Sequence, residues 1–154
     1  MAAKLKTAAL GATGYSGLEL ARLLGRHPRT DAPLLLRRSA ETAESSGPGL
    51  LQNGLLQNGL PYISGNGNSQ VQPFSWSALE QRGVELLFLA TPHSVSRELV
   101  PEAIARGLRV VDLSGAWRLK QENNRAVYGF KDVNAQTAAE VTERAVYGLS
   151  LIHI

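Results

Sequence analysis

Cysteine is missing from all 154 residues. Its absence excludes disulfide frameworks, cysteine zinc sites and thiolate nucleophiles within the chain. Also missing is any apolar run long enough to span a bilayer, and the N-terminus moves into a strand-like stretch without a signal-peptide pattern. A soluble, cytoplasmic protein with no membrane partner is expected. Strong charge of one sign is lacking too, since 16 Lys and Arg stand against 13 Asp and Glu, and the basic residues are scattered. That pattern argues against a nucleic-acid partner and suits an anionic small ligand. His27 and His153 are solitary, so no metal site is expected. Ser16 lies in GYSG rather than in G-x-S-x-G, and no spacing recommends a hydrolase triad. What the chain does have is 44% apolar residues, enough for the core of one domain and cramped for two.

The apolar residues alternate between two periods. Residues 4–10 (KLKTAAL) read as a strand; in residues 15–26, Gly17, Leu20, Ala21 and Leu24 repeat at helical spacing, with Glu19, Arg22 and Arg26 on the other face. His27, Pro28 and Arg29 end that helix, and residues 32–36 (APLLL) supply a buried strand. Residues 84–90 and 108–113 are two more strands, apolar almost throughout as strands covered on both faces should be. Helical sequence fills 94–106, where Pro101 predicts a kink or a fresh helix start and Gly107 a stop. Strands alternating with helices predict an α/β fold, a Rossmann-type doubly wound parallel sheet with right-handed crossovers. Residues 41–72 are rich in Gly, Ser, Asn and Gln and repeat LLQNG once, which reads as a long surface connection with two Asn-Gly turns. Residues 121–144 are polar and weakly helical.

Gly11, Gly14 and Gly17 stand three apart where the first strand meets the first helix. In such a turn one glycine allows the tight bend, one lets the backbone approach a pyrophosphate, and one lets the helix pack on the strand. The helix N-terminus aims free N–H groups at the phosphates, and the Thr13 and Ser16 hydroxyls can add bonds. A tight structural turn is the plainer alternative. Together with the flanking strand, helix and second strand, the spacing favours dinucleotide binding. At the end of the second strand, where an acid would hold the ribose of NAD, stand Arg37, Arg38 and Ser39. Two guanidinium groups and a hydroxyl suit a 2′-phosphate, so NADP is favoured, while nearby Glu41 keeps NAD open. Thr91, Pro92 and His93 follow one later strand, and Asp112, Ser114 and Gly115 the next, at the edge where open sheets bind ligands. On the residues alone, a local helix-opening role for His93 is the better reading.

Several segments together resemble the N-acetyl-gamma-glutamyl-phosphate reductase family of the semialdehyde dehydrogenase superfamily. They are GATGYSGLELARLLGRHP, LFLATPHSVSRELVPEAIARGLRVVDLSGAWRL, YGF and AVYGL, within residues 5–149. The resemblance implies NADPH-dependent reduction of an acyl phosphate, N-acetyl-glutamyl 5-phosphate, to a semialdehyde in arginine biosynthesis. A cysteine thiolate displaces phosphate to form a thioester, hydride transfer releases the aldehyde, and a histidine assists proton movement. It implies that Gly11, Thr13, Gly14, Tyr15, Ser16 and Gly17 hold the pyrophosphate and that Arg37, Arg38 and Ser39 hold the adenosine phosphate. Thr91, Pro92 and His93 would border the nicotinamide, with Ser114 and Arg118 near a small-molecule substrate. Family members are about twice as long and carry their cysteine beyond the YGL segment, so this chain is expected to be the cofactor-binding part, residues 1–148, and inactive alone. The full-length protein is expected to be a homo-oligomer. Residues 149–154 (LSLIHI) depart from the family pattern and reverse-translate to CTGTCTCTTATACACATC, a transposon end used in sequencing libraries; a non-native tail is expected. Still open are an aspartate-semialdehyde or short-chain reductase and a non-catalytic dinucleotide-binding module.

Overall fold

Four-residue apolar runs build the sheet. In the computed structural model, which describes residues 3–38, 71–118, 129, 132–146 and 148, they form β1 (Thr7–Leu10), β2 (Leu34–Arg37), β4 (Leu86–Leu89) and β5 (Arg109–Asp112), and β3 is the short Gln72–Pro73. Helices α1 (Tyr15–Arg26), α2 (Trp76–Arg82), α3 (His93–Ala105) and α4 (Ala135–Arg144) connect or follow them. All pairings are parallel and the strand order is β3-β2-β1-β4-β5. The chain therefore reverses direction across the sheet between β1 and β4, the switch point at which such sheets open a crevice beyond the carboxyl ends of their strands.

Alternation across the pleat divides the core in two. Ala8, Leu10, Leu36, Leu87 and Leu89 face one side and pack with Leu79, Val95, Leu99, Val100 and Val141 from α2, α3 and α4. Ala9 and Leu35 face the other side, where Ala21 of α1 covers them together with Ala12. Helices on both faces make the sheet doubly wound, as the alternating pattern predicts.

Most boundaries in the sequence hold within a few residues, and the exceptions have physical causes. Helix α1 spans the expected residues, and Thr30 Oγ1 closes its return by donating to the Leu24 carbonyl at 2.8 Å. Helix α3 runs unbroken through Pro101, so the expected fresh start there does not occur. Buried Val95, Leu99, Val100 and Ala103 on either side of the proline hold the helix against the sheet, and packing overrides local preference. Gly107, with φ +79°, follows the helix as its expected stop. The strand at β2 starts after Pro33 and takes in Arg37, which the sequence places just outside. Neither β3 nor α2 is anticipated; α2 is capped by Ser75, whose hydroxyl accepts from the Ala78 amide at 3.2 Å. Double coverage of β5 fails as well. Val111 and Leu113 are 43% and 48% exposed, because α4 packs back beside α3 on the opposite face. Ser39, most of the 41–72 connection and residues 149–154 lie outside the described residues.

Candidate functional site

The β1–α1 turn is tight for a steric reason. Gly11 has φ +87°, and a Cβ there would stand 2.3 Å from the Ala90 carbonyl oxygen at the end of β4. A Cβ on Gly17, in the first turn of α1, would stand 2.0 Å from the Gly11 carbonyl oxygen and 2.8 Å from the Ala12 Cα. These two positions press helix, turn and neighbouring strand together, so no side chain fits at either. The turn is tied to both neighbours: the Gly11 and Ala12 amides donate to the Leu36 carbonyl at 3.0 and 3.2 Å, and the Ala90 amide donates to the Leu10 carbonyl at 2.9 Å.

Gly14 does the reverse of crowding. It is exposed, and only the Gly11 oxygen, at 3.6 Å, lies within contact of a Cβ built there. As N-cap of α1 it brings no side-chain hydrogen bond, and no acid lies in the first turn. The helix therefore offers backbone N–H groups and the positive end of its dipole to whatever approaches. Tyr15 and Ser16 are exposed at this end, and Thr13 is half-buried.

Arg37 closes β2 one residue beyond Leu36, whose carbonyl holds the glycine turn; its own carbonyl accepts from the Phe74 amide at 2.8 Å. The structure thus brings the glycine turn, half-buried Arg37 and exposed Arg38 to one edge of the sheet.

The carboxyl ends of β4 and β5 are joined by polar side chains. The Asp112 carboxylate accepts from Ser96 Oγ at 2.9 Å, from the Ser114 amide at 2.9 Å and from Ser114 Oγ at 2.8 Å. Thr91 Oγ1 lies 3.2 Å from Ser96 Oγ, and Ser114 Oγ accepts from the Ala116 amide at 3.1 Å. His93 opens α3 directly after Pro92, and its Nδ1 accepts from the Gly115 amide at 3.1 Å. Ser114 thus commits its hydrogen to Asp112, and a ligand can meet it only at an oxygen lone pair.

Behind this loop sits a buried cation. Arg97 of α3 is 2% exposed, donates from Nη1 to the Ala116 carbonyl at 2.9 Å, pairs with Asp132 and lies 4.2 Å from the Trp117 ring centre. Trp117 Nε1 in turn donates to the Ser96 carbonyl at 3.2 Å. Ser96 and Arg97 are not among the residues expected from the sequence. The available signal was two polar residues beside Val95 and Leu99 on a stripe that must be buried, where a charge requires a partner.

A cavity of about 960 Å³ runs beside β5 and is lined by Ser16, Asp112, Ser114, Trp117, Arg118 and Arg144 among others. It reaches the N-terminus of α1 through Ser16, so it is continuous with one end of the glycine turn. Gly11, Gly14, Arg37, Thr91 and His93 are not in its wall. The candidate residues thus fall into two neighbouring places: the turn with the β2 end and His93, and the cavity with Ser114 and Arg118. Among the described residues no group of His, Asp or Glu is arranged to hold a metal ion, and no helix is long and apolar enough to cross a membrane.

Comparison with known proteins extends this geometry. A family described as "Semialdehyde dehydrogenase, NAD binding domain" matches residues 6–141. The chain is 35% identical over 146 residues to the N-acetyl-gamma-glutamyl-phosphate reductase of Aquifex aeolicus, covering 94% of this chain and 38% of that protein. To the enzyme of the same name from Pectobacterium carotovorum it is 37% identical over 147 residues, covering 95% and 40%. It spans about two fifths of these relatives' length. Among solved structures, aspartate semialdehyde dehydrogenase II from Vibrio cholerae complexed with ASA is 19% identical with TM-score 0.48, over 75% of this chain and 32% of that one.

Proposed function

The chain belongs to the semialdehyde dehydrogenase family, as its NAD-binding domain, and from that premise we propose that it is the NADP-binding part of an N-acetyl-gamma-glutamyl-phosphate reductase. The observation that carries the cofactor reading is the open N-terminus of α1: an exposed glycine at the cap, no side-chain cap and no first-turn acid, set at the switch point of the sheet. A diphosphate meets there the N–H groups of the turn and the helix dipole, so the residues fit the group. The substrate reading is supported by the name that the relatives of 33% to 37% identity share. Bound NADPH would supply a hydride. Residues 1–148 would bind and orient it: Gly11, Thr13, Gly14, Tyr15, Ser16 and Gly17 at the pyrophosphate, Arg37, Arg38 and Ser39 at the 2′-phosphate, and Thr91, Pro92 and His93 along the nicotinamide. Arg118, exposed in the cavity wall, is suited to an anionic substrate group, with Ser114 offering an acceptor beside it.

Calorimetric titration tests the choice of cofactor. Arg37→Ala is expected to weaken NADPH by about tenfold or more, the worth of one charge-assisted hydrogen bond, and to leave NADH unchanged; Arg38→Ala should do the same more weakly because it is more exposed. Equal weakening of both nucleotides would remove the 2′-phosphate assignment. Chemistry is a separate matter. With no cysteine, the purified 154-residue chain is expected to show no phosphate-dependent reduction of NADP with the semialdehyde, and absorbance growing at the reduced-nicotinamide band above a no-protein control would contradict this.

A further inference from the structure

We propose that β5 is a self-pairing edge: a second copy of this chain lays its own β5 antiparallel along it, across a two-fold axis at Val111, and joins two five-stranded sheets into one. The inference does not depend on the dinucleotide reading. Among the described residues no strand lies outside β5. Alternate residues of β5 bond inward to β4, the Arg109 amide donating to the Glu85 carbonyl at 3.1 Å and the Leu113 amide to the Leu89 carbonyl at 2.9 Å. By the two-residue period of a strand, Val110 and Asp112 turn their amides and carbonyls outward. The cavity beside β5 is lined by every residue from 108 to 113, so it opens along that edge.

The two edges of the sheet are guarded differently. At the other edge β3 is two residues long and one of them is Pro73, both of which discourage pairing. β5 has four residues with neither proline nor lysine, and Val111 and Leu113 are 43% and 48% exposed on one face of the strand line. A strand built to lie inside a longer sheet carries no such guard, and this chain spans about two fifths of its relatives' length. The stretch is also complementary to itself. With Val110 opposite Asp112 of the second copy, both residues exchange backbone hydrogen bonds, Val111 meets Val111, and Leu113 meets the aliphatic stem of Arg109. No charge faces a like charge. The Asp112 carboxylate already accepts from Ser96 and Ser114, so pairing leaves no uncompensated charge in the interface. Because one patch serves both copies and β3 is guarded, association closes at the dimer.

The absence of cysteine makes this register testable on the 154-residue protein. Across the axis the two Val111 Cα atoms would stand about 4.5 Å apart, within reach of a disulfide, and the two Arg109 Cα atoms roughly 13 Å apart, beyond it. In a glutathione redox buffer, Val111→Cys should form a covalent dimer about tenfold faster or more than Arg109→Cys. Arg109→Cys mixed with Leu113→Cys should give a mixed dimer that neither gives alone. In sedimentation velocity the unchanged chain should pass from monomer to dimer and no further as its concentration rises. Val111→Lys, which sets like charges opposite each other, should raise the dissociation constant about tenfold or more. A chain that stays monomeric at every concentration, species larger than a dimer, no effect of Val111→Lys, or equal crosslinking of Val111→Cys and Arg109→Cys would each overturn the pairing. Should Val111→Lys fail to fold by circular dichroism, the cysteine pattern still decides.

Discussion

Gly17→Ala is expected to lower the free energy of unfolding by about 1–2 kcal/mol and to abolish NADPH binding. In an ordinary helix the same change stabilises by up to about 1 kcal/mol, because alanine loses less backbone freedom on folding. Here the added Cβ would stand 2.0 Å from the Gly11 carbonyl oxygen and 2.7 Å from its carbon. Both are backbone atoms, and the turn is held to β2 and β4 by amide hydrogen bonds, so it cannot yield without losing them. Overpacking of about 1–3 kcal/mol therefore exceeds the propensity gain. The only relief is for α1 to lift from the strand, which moves its first-turn N–H groups away from where a diphosphate sits. Gly25→Ala is the internal control: an exposed position in the same helix, where the substitution should be neutral or stabilising. Urea unfolding of both variants followed by far-ultraviolet circular dichroism decides it, and the close packing read for Gly17 fails if the two behave alike.

Arg97→Met should cost more, about 3 kcal/mol or above. Truncating one member of a buried pair leaves the other charge without compensation, typically about 3–5 kcal/mol, whereas an exposed pair is worth under about 1 kcal/mol. Arg97 is buried in α3, and it reaches partners in other segments: Ala116 and Trp117 in the loop after β5, and Asp132 on the approach to α4. Its loss should loosen the Ser114 to Arg118 loop before it loosens the sheet. The chain holds two tryptophans, Trp76 and Trp117. In a Trp76→Phe background, Trp117 emission reports that loop alone and should move to longer wavelength in Arg97→Met as water reaches the indole. Arg97→Lys should fall between, keeping the charge and losing the planar fork that spans the Ala116 carbonyl and Asp132. A loss below about 1 kcal/mol with unshifted emission would mean that the buried cation holds nothing together.

Much of this molecule was legible along the chain because its signals are local. Apolar runs in β1, β2, β4 and β5, the 3.6-residue stripe of α1 and the three glycines each depend on neighbours a few residues away. The parallel α/β class and the place of the glycine turn follow from them. Elements with weak local signals were missed: β3 is two residues long, and α2 has only seven. At Pro101 the local rule predicts a kink or a fresh start within helical sequence, and the fresh start does not occur, since four buried apolar residues around the proline outweigh one missing hydrogen bond.

The candidate site divides in the same way. Gly11, Gly14, Gly17, Arg37 and His93 can be named from order alone, because their place at strand ends is a property of sequence. What His93 and Ser114 face is not such a property. Gly115 lies 22 residues from His93, Asp112 lies 16 from Ser96, and Ala116 lies 19 from Arg97. The chain by itself determined that a glycine-lined helix end meets a parallel sheet; only the packing of α3 against the loop after β5 decided which hydroxyls are spent, which imidazole nitrogen accepts and which arginine is buried. The reason is physical: steric permission for a tight turn belongs to the residues in it, while a hydrogen bond requires a partner that folding alone brings within 3 Å or so.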